Sequence, residues 1–265
     1  MNIFLYELKA YRKSTLVWTF SLLAIVTMFM SFYPSISKDI DQFTKLLEGF
    51  PEPVRKAFGL QLDNMGTIMG FYSYMFLYLT LCGAIQGMNL GISVLSKETR
   101  DKTADFLLTK PVTRVNILTA KLMATAVSLI LTNAVYMIGA GMMASQVKTE
   151  DYSMKIFVMI SLTLLFIQLI FLVLGLLLSV LFARIKSVLT VSLGVVFCFF
   201  FIGMLAATGG DEAKRFLSPF KYFDTAYIIE HSSYEAPYLL AGIGIIAASL
   251  ITSYIAYMKK DIHAG

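Results

Sequence analysis

Residues Ile156–Ala183 read IFVMISLTLLFIQLIFLVLGLLLSVLFA, without one charged side chain. A helix rises ~1.5 Å per residue, so about 20 apolar residues cross the ~30 Å hydrocarbon layer of a bilayer. This run exceeds that length. Five more uncharged runs do the same: Ser14–Ser37, Asn64–Ser96, Leu122–Val147, Ser187–Gly210 and Ala236–Met258. In hydrocarbon a backbone must satisfy its own polar groups, which helical spans do internally. The reading is an all-α polytopic membrane protein of six transmembrane helices. Its spans lie near residues 16–33, 71–95, 122–143, 156–182, 188–207 and 236–258.

Composition points the same way. Hydrophobic residues make up 57% and charged residues 15%, against about 25% charged in a soluble domain, and the mean hydropathy is +0.73. Six spans consume most of the 265 residues. No room remains for a soluble catalytic domain, so residues 1–265 are read as one transmembrane domain. The first apolar run follows Glu7, Lys9, Arg12 and Lys13, outlasts a signal-peptide core and lacks a small-x-small cleavage site, so it reads as a permanent helix. Residues 1–13 are expected to form an interfacial helix, with Ile3, Phe4 and Leu8 on one side and the charges on the other.

Charge placement sets the orientation. One side carries the N-terminus, the 97–121 loop, the Arg184/Lys186 turn and Lys259/Lys260, for a net +8; the other side is net −3. Both ends are therefore expected in the cytoplasm, in the plasma membrane. The overall +5 is a topological signature: no compact basic patch with interleaved aromatics exists, so no nucleic-acid partner is expected. Cys82 and Cys198 fall inside spans and read as small packing residues. With only His231 and His263 besides, no metal site is expected.

Two far-side segments join the spans, 35–67 and 208–235. In the first, Ile36, Ile40, Phe43, Leu47 and Phe50 share one helical face until Pro51 and Pro53 break the helix, and a short turn follows from Val54 to Gly59. The segment is either a lid or a surface brace. The second is rich in aromatics. Within the second span, Gly83, Gly87 and Gly91 recur every four residues, a spacing that lets helices approach closely. It marks either a subunit interface or packing inside the monomer.

Absent chemistry narrows the function. No ionisable residue lies within the six runs, whereas ion- and proton-coupled carriers place such groups at depth. Gln86, Asn89, Asn133 and Gln168 are the large polar residues there, and interhelical hydrogen bonding is their expected use. No H-E-x-x-H, G-x-S-x-G or phosphate-binding G-x-x-x-x-G-K-[ST] motif occurs. The positive signal is the 97–121 loop, where a charged stretch, the apolar triplet Phe106-Leu107-Leu108, Pro111 and a second charged helix start follow one another. Such a triplet is buried either by a cytoplasmic partner or by the membrane interface.

That loop resembles the cytoplasmic loop of permease subunits of ABC transporters of the second exporter type. Their pattern reads close to E-x-x-x-G-T-x-x-x-L-L-x-x-P-[VL]-[ST]-R, followed by G-K. Here it is matched by Glu98, Thr103, Leu107, Leu108, Pro111, Val112, Thr113, Arg114 and Lys121, with departures at Lys102 and Ala120. Phe50-Pro51-Glu52 through Gly59 and Leu217–Asp224 (LSPFKYFD) resemble two further segments of the family. The resemblance implies a permease with no catalytic residue and no cofactor of its own. ATP and Mg would be bound by a separate ABC ATP-binding subunit. Glu98, Thr103, Phe106, Leu107, Leu108, Pro111, Val112, Arg114 and Lys121 would couple to that subunit. A second copy or a sister permease would complete the pore. Spans rich in aromatics, Met and small polar groups point to an amphipathic or hydrophobic substrate, a peptide, toxin, drug or lipid. The rival readings are an ion-gradient-driven transporter and a non-transporting scaffold or immunity protein.

Overall fold

The computed structural model describes residues 3–59, 64–100, 113–182, 185–209 and 212–259. Among the described residues all regular structure is helical. Six helices are long and apolar enough to cross a membrane: α1 (Ile3–Lys38), α4 (Ile68–Arg100), α5 (Arg114–Val147), α6 (Met154–Leu181), α7 (Val188–Thr208) and α9 (Ala236–Lys259). Three short ones, α2 (Ile40–Glu48), α3 (Glu52–Ala57) and α8 (Thr225–His231), lie between them. Six crossings return Lys259 to the side where Ile3 starts, called the end face below; the opposite side is the far face.

The helices begin where side chains can accept the first free amides. Thr113 Oγ1 accepts the Asn116 N–H of α5 at 3.2 Å, and Ser187 Oγ accepts the Thr190 N–H of α7 at 3.3 Å. No glycine or internal proline interrupts residues 3–33, so the N-terminal segment does not form a separate interfacial helix. It continues into the first span as one 36-residue helix. The buried stripe of its first turns also differs from expectation: Ile3, Phe4 and Leu8 are half-buried, but Glu7 lies among them at 5% exposure.

The centre of the bundle is the pair α4 and α6. In each, 61% of the spanning window is buried, against 17% for α7 and α9. The expected glycine row explains the pairing, and it is occupied inside this chain. A Cβ on Gly83 would collide with Leu164, one on Gly87 with the Gln168 carbonyl, and one on Gly91 with the Leu172 carbonyl. From the other side, a Cβ on Gly175 would stand 2.6 Å from the Met88 carbonyl oxygen. The two backbones touch, so this face of α4 is unavailable to a second subunit.

Hydrogen bonds then fix the register. Gln168 Nε2 donates to Gln86 Oε1 at 2.9 Å, and Gln86 Nε2 donates to Thr132 Oγ1 of α5 at 3.2 Å. Thr19 Oγ1 of α1 donates to Thr132 Oγ1 at 3.2 Å, and Asn133 Nδ2 donates to Gln168 Oε1. Gln86, Gln168 and Thr132 are fully buried. A second joint lies nearer the far face, where the Tyr72 hydroxyl meets Tyr136 OH at 2.7 Å and Ser161 Oγ at 2.8 Å, joining α4, α5 and α6. α1 packs on α5 through Leu22, Val26, Met30 and Tyr33.

On the far face the first segment matches its amphipathic pattern: Ile36, Ile40 and Phe43 are half-buried, Leu47 is buried, and Phe50 is exposed. The chain after α3 turns at Gly59, whose φ of +68° a side chain would strain. The second far-side segment is only partly at the surface: Phe216 and Leu217 are exposed, but Ser218 and Pro219 are buried. Two 3₁₀ turns, Glu212–Leu217 and Pro219–Lys221, fold back along α7. Ser218 is fully buried and donates to the Phe199 carbonyl at 2.7 Å. Phe199 lies nine residues before the end of α7, about 14 Å along the helix. Non-helical backbone reaches such depth only when protein covers it. Here Gly203 leaves room for Ser218, and Pro219 has no N–H to satisfy.

The glycine contact can be tested by substitution. Gly87→Ala and Gly91→Ala are each expected to lower stability by about 1–3 kcal/mol through overpacking. Gly194 on α7 has nothing within reach of an added Cβ, so Gly194→Ala is expected to be neutral or to stabilise by up to about 1 kcal/mol. Thermal unfolding in detergent micelles reads all three; equal behaviour of Gly87→Ala and Gly194→Ala would contradict the contact.

Candidate functional site

The loop singled out in the sequence is bracketed by α4 and α5. Thr103, Phe106, Leu107, Leu108, Pro111 and Val112 lie outside the described residues, and of Glu98 only the backbone is described, in the last turn of α4. Thr113 and Arg114 open α5, Arg114 half-buried.

Lys121 sits elsewhere than a docking residue should. Seven residues into α5, or about 10 Å along the axis, it is 1% exposed and cannot be reached by a partner. Its Nζ donates to the Val94 carbonyl of α4 at 3.0 Å and stands 3.4 Å from Glu7 Oε1 of α1. Three helices therefore meet at one ammonium group on the end-face side of the bundle. The other carboxylate oxygen, Glu7 Oε2, is buried with no hydrogen-bond partner among the described residues. Sequence reasoning placed Glu7 in water. The available signal was weak: Glu7 is the lone acid of a basic segment, and Lys121 is the last base before an apolar run.

The far face holds a cavity of about 370 Å³. α4 contributes Ser73, Tyr74, Phe76, Leu77 and Thr80, and α6 contributes Thr163 and Ile167. α7 supplies Ala206 and Ala207. The two far-side segments close it with Lys56, Phe58 and Gly59 from one and Arg215, Phe220, Lys221, Phe223, Asp224 and Thr225 from the other. None of these was expected to line a site: the walls come from five separate stretches, and the resemblance of the Phe50–Gly59 and Leu217–Asp224 segments to the family implies no cavity between them.

The folded-back segment that forms one wall is locked in place. Arg215 forms a two-pronged ion pair with Glu235, at 3.1 Å for Nη1 to Oε1 and closer for Nη2 to Oε2. It also donates to the Lys221 carbonyl, and its guanidinium lies 4.0 Å over the Tyr238 ring. The Tyr222 hydroxyl donates to the Phe216 carbonyl at 2.8 Å. Burial pushes the Lys221 ammonium below the ordinary lysine pKa; Asp224 opposes this shift and Arg215 adds to it.

Of protein families, ABC-2 family transporter protein is the description whose model matches this chain, over residues 1–262. No curated protein matches it.

The buried pair yields a testable consequence. Lys121→Met leaves the Glu7 carboxylate buried without its cation and is expected to cost about 3–5 kcal/mol. The double variant Glu7→Gln, Lys121→Met is expected to regain most of that loss, read by denaturant unfolding of the purified chain. Additive losses would mean that the two side chains do not interact.

Proposed function

The chain belongs to the ABC-2 family of transporter proteins, and from that premise we propose that it is the permease subunit of an ATP-driven exporter whose ATPase is a separate ABC subunit. The family match over nearly the whole chain carries this reading. The uncharged spans support it against an ion-gradient carrier. ATP and Mg are bound by the partner and not by this chain. A second copy or a sister permease completes the pore, and the substrate is an amphipathic or hydrophobic peptide, toxin, drug or lipid.

Both chain ends face the cytoplasm of a cell membrane, a placement supported by the excess of Lys and Arg on the end face. The ATPase docks on the 97–121 segment, with Phe106, Leu107 and Leu108 as its apolar contact and Glu98, Thr103, Pro111, Val112 and Arg114 around them. Lys121 takes a different part: by holding Val94 and Glu7 it ties together the helices on either side of the segment and links both to α1. A push on the segment then reaches three spans at once, and α6 moves with α4 because their backbones touch. The glycine row serves packing within the subunit, so the partner permease sits on another face.

Two experiments test this. Cysteine at Asp41 is expected to react with a membrane-impermeant reagent in intact cells, and cysteine at Lys102 only after permeabilisation; the reverse pattern would overturn the orientation. Burial of a leucine side chain contributes roughly 1.5–3 kcal/mol, so Leu107→Asp is expected to reduce copurification of the ATPase or uncouple hydrolysis from transport, with membrane insertion unchanged. Normal assembly and normal ATP-dependent transport in that variant would remove the segment from the coupling path.

A further inference from the structure

The far-face cavity combines an apolar floor with a cation that lacks a bonded counter-charge. Phe76 and Leu77 of α4, Ile167 of α6, and Phe220 and Phe223 of the folded-back segment supply the apolar surface. Ser73 and Thr80 are seven residues apart on α4, so the cavity runs about 10 Å down that helix. Its volume, about 370 Å³, falls within the roughly 300–1,000 Å³ of small-molecule sites.

The polar groups of the lining are mostly engaged. Ser73 donates to Thr225 Oγ1, Thr80 to the Leu77 carbonyl at 2.9 Å, and Thr163 to the Ile160 carbonyl at 2.6 Å. Lys56 is paired with Glu52 at 2.6 Å, and Arg215 with Glu235. The Asp224 carboxylate accepts the Ala226 N–H at 2.9 Å at the start of α8. Lys221 remains. Among the described residues no acceptor lies within hydrogen-bond distance of its ammonium, Asp224 acts on it only through space, and burial opposes its charge. A cation held this way gains most from an anion that enters the cavity, because a charge-assisted hydrogen bond is stronger than a neutral one.

We propose that this cavity binds an amphiphile with one anionic headgroup, taken from the half of the bilayer away from the chain ends, with the headgroup on Lys221 and the alkyl chain along Phe76, Leu77 and Ile167. The five apolar side chains select a lipid-like molecule over a free anion, and the cation selects against amphiphiles with a positive head. The site lies within one subunit, so its occupancy depends neither on ATP nor on the export reading, and a failure of either leaves the other standing.

The test uses the full-length chain purified in dodecyl maltoside, with dodecyl phosphate as the probe and native mass spectrometry and thermal stabilisation as readouts. Dodecyl phosphate is expected to bind as one molecule per chain and to raise the unfolding temperature. Inorganic phosphate at the same concentration is expected to do neither, and dodecyltrimethylammonium is expected to bind about tenfold or more weakly, as loss of a charge-assisted bond implies. Lys221→Met keeps the apolar stem and removes the charge, and Ala207→Phe fills the cavity from α7. Each is expected to weaken dodecyl phosphate binding about tenfold or more, with the ligand-free unfolding temperature of at least one unchanged, which separates lost binding from lost folding. Equal binding of the cationic amphiphile, equal binding of inorganic phosphate, or undiminished binding in both variants would overturn the proposal.

Discussion

The backbone contact of α4 with α6, across Gly87 and Gly91 on one helix and Gly175 on the other, is the constraint on which the rest of the bundle depends. Lipid tails are as apolar as leucine, so helices in a bilayer gain little from hiding apolar surface from one another. They must associate through close packing and hydrogen bonds. Glycine makes the packing close enough for Gln86 and Gln168 to bond each other, and the same amides reach Thr132 and Asn133 on α5. α1 is fastened in turn through Thr19. The outer helices α7 and α9 are little buried within this chain.

Two ion pairs are drawn into the body of the structure. Glu7 and Lys121 meet where the spans approach the end face, and Arg215 and Glu235 meet on the far face. A buried ion pair adds little net stability, but breaking one leaves a charge that cannot be solvated. Such pairs therefore fix geometry: the first clamps three helices beside the 97–121 segment, and the second pins the folded-back segment that forms one wall of the far cavity. Two ends of the molecule are thus held rigidly on a core whose helices are fastened to each other by neutral hydrogen bonds. Rigidity of this kind within the subunit is what the proposed coupling requires.

The fold class was legible because six uncharged runs admit no other solution in a bilayer, and the four-three spacing from Ile36 to Leu47 marked the helix on the far face. Other features were hidden for physical reasons. The glycine row announced a close contact but not its partner, since small residues pack equally well against the same chain or another. Glu7 looked solvated because a charge beside Lys9 and Arg12 is ordinarily so; only the fold brings Lys121 to it from over a hundred residues away. The depth of Ser218 was not legible because nothing local encodes it; it is set by Gly203 and the Phe199 carbonyl on α7. The cavity walls likewise come from five separate stretches that share no motif. Thr103 to Val112 lie outside the described residues, and the coupling role proposed for them rests on the resemblance in the sequence.

The central claim is that this chain supplies the membrane path and a separate subunit supplies the energy. ATP hydrolysis in proteoliposomes tests it most directly, with the purified chain reconstituted alone and together with its ABC ATP-binding subunit. The account predicts no hydrolysis from the chain alone, and hydrolysis with ATP-dependent substrate movement once the second subunit is present. Sustained ATP hydrolysis by the isolated, contaminant-free chain, or substrate movement driven by an ion gradient without the second subunit, would contradict it.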